Sequence, residues 1–364
     1  MLALVAALLM QASPASPPAA SSFEALSREA AEARDARRLD QALALYKKAL
    51  QLKPGWEDGL WAAASIEYDQ DKYAECAADF ERLAALKPDQ VPARTMAGLC
   101  EYHLRDYKAA LKSLTEVQRL GSQEQTELAR AARIHLALVL IKLNNFEKAI
   151  ATLVELTRID KKTQDIVVAS GIAGLRKPWT PPEVPESVRD EVFKLGDAMA
   201  AVMEQDNQQA LEKFAVVMRD YPGDPNVHFR YGAFLMQQNP ERGIEEIRKT
   251  LELEPDHIPA LVSLAAIYLK RDQAQTAREY AEKAVKLDPA DFATHVTLGR
   301  VLLDTDEAAG AAREFETAVK LAPASPESHF NLASAYAKLG RKEDAARERQ
   351  EFKRLRKLAE PNQP

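Results

Sequence analysis

Two cysteines in 364 residues allow one intrachain disulfide at most, and the pair is too far apart to make a C-x-x-C zinc or redox motif. Glycine is scarce, at 13 residues, and aromatics are 7% of a chain filled with alanine and leucine, a balance that points to helix. No basic stripe occurs. The formal charge of −6 is spread along the chain, which argues against a nucleic-acid partner. The one uncharged apolar run, Leu2 to Met10, is too short to cross a bilayer, so no integral span is expected in the mature chain. Catalytic signatures are missing as well: there is no G-x-S-x-G, G-x-G-x-x-G, G-x-x-x-x-G-K-[ST] or H-E-x-x-H. A non-enzyme without a cofactor is therefore expected.

What the sequence does have is a period. Pro255, Pro289 and Pro323 fall 34 residues apart, each closing a Leu-x-Pro triplet. His295, Leu298, Gly299 and Leu302 occupy the positions that His329, Leu332, Ala333 and Tyr336 occupy one period later, and Ala277, Ala311 and Ala345 keep the same step. A fixed period of this length marks stacked units that cannot bury their apolar faces singly. Small residues let two antiparallel helices approach, Leu, Tyr and Phe315 fill the space beside them, and proline stops the second helix.

These positions resemble the tetratricopeptide repeat (TPR), whose pattern is W-x2-L-G-x2-Y, then A-x3-F, then P. Similar units are legible from Ser22 onward: Ala42, Tyr46 and Pro54 in the first, Cys76 and Phe80 in the second, Gly98, Ala110 and Leu114 in the third, Leu136, Ala149 and Leu153 in the fourth. The register then breaks. The stretch 160–187 holds a short helical candidate, QDIVVASGIAGLRK, followed by the proline-rich PWTPPEVPES. Beyond it come a divergent unit through Ala210 and Phe214, a unit one residue short near Asn239-Pro240, and three regular units. The resemblance implies an all-α α-solenoid, a right-handed superhelix of about nine helix pairs in two blocks. The expected domains are a leader over 1–21, blocks over 22–159 and 188–360, and an irregular linker over 160–187. The charged final helix, which keeps Phe352 and Leu355 for packing, suits a terminal cap.

The first residues read as a secretory leader, an apolar run followed by QASPASPPAASS, although no Lys or Arg follows Met1. The expected location is secreted or periplasmic, with tethering by an uncleaved leader as the alternative. His228, His295 and His329 share one repeat position. They are expected to stand in for tryptophan and to hold no metal, because successive repeats lie too far apart to converge on one ion. Cys76 and Cys100 are each 12 residues from Pro88, so a chain reversal there would set both thiols at one height. Either a disulfide or two small buried side chains satisfies that spacing.

In the family the concave face comes from first-helix positions. Mapped onto this chain, the resemblance implies protein-binding positions at Trp61, Tyr68, Asp69, Tyr102 and His103, and at Phe229, Arg300 and Phe330. The first position carries Trp61, Thr95, Ile134, Phe229, Val262, Val296 and Phe330 where a carboxylate-gripping groove would need Lys or Asn, which argues against that mode. The expected function is a scaffold holding a protein or peptide segment in the groove. The alternative is an assembly component of a cell-envelope complex, contacted through block edges and the linker around Trp179.

Overall fold

A computed structural model of the chain describes residues 22–120, 126–159 and 162–359; the expected leader at 1–21 lies outside the described residues. Two compact units divide at Leu104–Arg105. The stretch 160–187, expected as a linker, falls within the second of them.

The first unit contains α1 (Phe23–Asp35), α2 (Leu39–Leu52), α3 (Glu57–Asp69), α4 (Tyr73–Leu86) and α5 (Val91–His103). Consecutive helices pack on a core in which Leu60, Ala63, Phe80 and Ala97 are wholly or almost wholly buried. Cys76 of α4 and Cys100 of α5 are both fully buried and joined as a disulfide, with Cα atoms 6.0 Å apart. A second tie crosses three helices: the Lys47 ammonium of α2 lies 2.6 Å from Glu67 of α3 and 2.7 Å from Asp79 of α4. Burial pushes the Glu67 carboxyl up, against the pull of Lys47.

The second unit contains α6 (Tyr107–Leu120), α7 (Glu127–Lys142), α8 (Phe146–Ile159), α9 (Gln164–Gly174), α10 (Arg189–Met203), α11 (Asn207–Asp220), α12 (Pro225–Leu235), α13 (Pro240–Leu253), α14 (Ile258–Lys270), α15 (Ala274–Leu287), α16 (Phe292–Asp304), α17 (Ala308–Leu321), α18 (Pro326–Lys338) and α19 (Lys342–Ala359). No strand occurs among the described residues, and no described helix is long and apolar enough to cross a membrane.

Each regular second helix buries one stripe. In α15 this is Ala277, Ala281 and Ala284, all at 0% exposure and spaced for a single helical face. Alanine there brings the neighbouring helices close, and Phe315 one repeat later fills the hollow beneath Gly299. The turns repeat as strictly as the helices. Arg37, Asp71 and Arg105 take positive φ in one series, and Asp272, Asp306 and Gly340 in another. After Arg37, Asp71, Asp272, Asp306 and Gly340 the next residue donates its N–H to the carbonyl five back, as in Lys72→Glu67, Glu307→Leu302 and Arg341→Tyr336. This closure satisfies carbonyls that the ending helix would otherwise orphan. The short unit is the exception: no residue between α12 and α13 has positive φ, and Asn239 caps α13 instead.

α9 is an apolar helix buried on nearly all sides, and it lies against α10 at very close range. Glycine makes this possible. A Cβ at Gly171 would sit 1.8 Å from the Val192 carbonyl oxygen, and one at Gly196 would sit 1.9 Å from that of Val167. The backbones touch where side chains would stand, so 164–203 is a packed pair in its own right.

Candidate functional site

Three first helices, α14, α16 and α18, form the walls of an open groove of about 490 Å³. Leu269, Leu303 and Phe330 supply its apolar surface, and Lys270, Arg300 and Lys338 its positive charge. Phe330 is 53% exposed, well above what a large aromatic shows in a core, and its ring centroid lies 5.4 Å from that of Phe352 of α19. The Lys338 ammonium is already held by the Leu303 carbonyl and by Asp306, each within 2.9 Å. Asn331 also lines the groove, and its Nδ2 is buried without an acceptor among the described residues. Two of the sequence-derived positions, Arg300 and Phe330, thus face the same groove.

Phe229 does not join them. It holds the same repeat position as Phe330 but is only 5% exposed, stacked obliquely on His257 at 5.0 Å and flanked by the Arg230 guanidinium. The expectation of an exposed anchor there is corrected by the next helix pair, whose N-capping His257 covers the ring.

The first unit assembles a different surface. Tyr68 and His103, 35 residues apart in sequence, meet with the phenol oxygen 3.2 Å from Nε2. Tyr73 stacks on the same imidazole at 4.8 Å, and Tyr102 touches it edge-on at 5.4 Å. Asp69 is exposed beside this patch, while Asp71 accepts the Tyr73 hydroxyl at 2.5 Å and pushes its pKa up to about 12. Tyr73 escaped the sequence reading because it begins a second helix, whereas the family rule looks only at first helices. Trp61 lies apart from the patch, half-buried and edge-on to the core ring of Phe80 at 5.2 Å.

The three repeat-position histidines each bridge two helices. His228, His295 and His329 place Nδ1 2.8, 2.7 and 2.6 Å from Glu246, Glu314 and Glu348 of the following helix. Their Nε2 atoms donate to the carbonyls of Pro222, Pro289 and Pro323 at 3.0, 3.0 and 3.1 Å. Both ring nitrogens face protein oxygens, so each imidazole acts as a clamp between a helix and the turn before it. At His228 the Glu246 hydrogen bond holds the pKa above the usual range, against burial. No cluster of metal-ligating side chains occurs among the described residues.

A last polar group ties α8, α9 and α12 together. Arg230 grips Glu147 with both terminal nitrogens, at 3.0 and 2.9 Å, and Arg176 adds a third contact at 2.9 Å. Crowding by the chain favours a neutral Glu147, but the Arg230 charge and hydrogen bonds outweigh it and hold the carboxyl below its usual range. His257 nearby accepts from Ala260 N–H through Nδ1 and donates to Asn226 through Nε2. Burial and then the two arginines depress its pKa to about 4, which keeps the ring neutral.

Tetratricopeptide-repeat family models match residues 62–125 and 131–163, and a model of the middle TPR-like domain of cilia and flagella-associated protein 70 matches 201–356. The chain carries tetratricopeptide repeats. A curated relative, the SGT1 homologue protein of Bos taurus, is 34% identical over 83 residues, which is 23% of this chain and 25% of that one. The chain thus spans about a quarter of the length of that relative. Among solved structures, MamA 41-end from Desulfovibrio magneticus RS-1 is 22% identical with a TM-score of 0.39, covering 46% of this chain and 93% of its own. Yeast Tom70 is 12% identical with a TM-score of 0.39, covering 92% of this chain and 85% of its own.

Proposed function

We propose that this TPR protein is a non-catalytic scaffold that holds a protein or peptide segment in the groove of α14, α16 and α18. The observation that carries the reading is Phe330, exposed at 53% in a groove whose polar lining is Lys270, Arg300 and Lys338 against the single carboxylate of Asp304, with Asn331 and Ser334 beside them. An apolar anchor with directional polar neighbours is how a groove gains both affinity and register. The partner chemistry that fits is a segment with an apolar side chain seated on Phe330 and a carboxylate beside Arg300. The Tyr68–Tyr73–Tyr102–His103 patch offers a second aromatic surface for the same kind of partner.

Peptide display against the full-length protein tests this. Selected peptides should combine acidic and apolar residues. Phe330→Ala should weaken them about 30-fold, the cost of losing a buried anchor of ~2 kcal/mol, and Arg300→Glu should reverse the charge preference. Selection of peptides whose binding is unchanged in both variants would sink the groove reading and leave the first-unit aromatic patch, probed by Tyr102→Ala.

A further inference from the structure

A second cavity, separate from the peptide groove, lies where α8, α10, α11 and α12 meet, and its volume is about 560 Å³. Its inner wall is apolar, with Met199, Met203, Phe214 and Phe234 each 9% exposed or less, while Gln205, Asn207 and Gln237 add amide groups to the lining. The register break makes the space, because α11 and α12 approach each other less closely than the regular consecutive helices do. Two arginines line it and no carboxylate does. Arg230 is already neutralised by Glu147. Arg158, exposed at the end of α8, has no carboxylate within ion-pair distance among the described residues.

We infer that this cavity binds a slender apolar chain ending in a carboxylate, of the fatty-acid class, with the chain between the methionines and phenylalanines and the head on Arg158. The volume sits within the range of small-molecule sites. A helical peptide fits it poorly: a cylinder about 10 Å across takes roughly 80 Å³ per ångström, so the space holds little more than one turn. Methionine-rich walls adapt to a flexible chain, and a guanidinium without an ion-pair partner among the described residues selects an anion at the edge. The inference stands independently of the peptide groove.

The test is calorimetric titration of the delipidated full-length protein with octanoate, decanoate, dodecanoate and tetradecanoate, each below its micellar concentration. Affinity should rise about fourfold per methylene until the cavity is filled. Arg158→Gln should weaken dodecanoate about tenfold, and the methyl ester should lose as much in the wild type. Ala233→Trp, at an exposed position on the cavity wall, should abolish binding without disturbing the core. Absence of binding up to tetradecanoate, affinity that ignores chain length, or equal binding of dodecylamine would each overturn the inference. None of these results bears on Phe330 or the peptide groove.

Discussion

The strict repeats from α14 to α19 and the off-register stretch from α9 to α12 lie in one unit but solve the same packing problem differently. In the repeats, alanine and glycine sit at fixed positions opposite a large ring, as Gly299 sits over Phe315, and every intrapair turn uses one residue of positive φ. In the off-register stretch, α9 and α10 touch backbone to backbone through Gly171 and Gly196, and the next junction is left with a cavity. A period fixes contacts by repetition. Where it lapses, individual close contacts take over, and they leave space elsewhere.

The largest expected effect comes from breaking the repeat side of this comparison. Phe315→Ala empties a position at 0% exposure and should cost about 4 kcal/mol, read by urea unfolding of the full chain. On the other side, Gly171→Ala forces a methyl against a carbonyl oxygen and should cost about 3 kcal/mol, whereas Gly310→Ala in α17, whose nearest neighbour is a leucine methyl at 3.3 Å, should be neutral or slightly stabilising. Equal effects at the two glycines would remove the distinction between the regions.

Protonation sharpens it further. Glu191 at the start of α10 is raised to about 7, first by burial and then by Asp224. A carboxyl with a raised folded pKa costs stability as pH climbs from its unfolded value near 4.5 to about 7. Glu191→Gln should therefore leave stability unchanged at pH 4 and raise it by about 1–2 kcal/mol at pH 8. The histidines should move oppositely. His228, raised by Glu246, stabilises fully below its unfolded pKa of 6.5, and that contribution is lost as pH rises through the folded value. His257, depressed to about 4, loses stability as pH falls from 6.5 toward 4. Thermal unfolding of His228→Gln and His257→Asn across pH 4–8 should flatten the two arms separately; a single shared arm would refute these environments. A modest loss, about 1 kcal/mol, is expected for Gly340→Ala, because φ there is 74°.

Much of the site was legible before any coordinates. The family resemblance implied that Arg300 and Phe330 lie on the concave first-helix face, and both line one groove. The same resemblance gave Phe229 an identical face and no hint that His257 would cover it, because the covering residue belongs to the next pair and caps its helix only in three dimensions. The histidine clamps were half visible. Their common position was plain, but the glutamates that complete them lie 18 or 19 residues on, among many exposed carboxylates. Tyr73 and the Arg230–Glu147 contact, 83 residues apart, carried no sequence signal.

By itself, the sequence determined what repetition can encode: helices with one small-residue stripe, stops at proline, and turns spaced by a constant step. These follow from local chemistry, since helix periodicity and backbone sterics act within a few residues. Tertiary structure alone decided which equivalent ring is buried, which arginine is neutralised, and where a cavity survives. Those outcomes depend on what a distant segment places against each residue, and burial and charge compensation act through space.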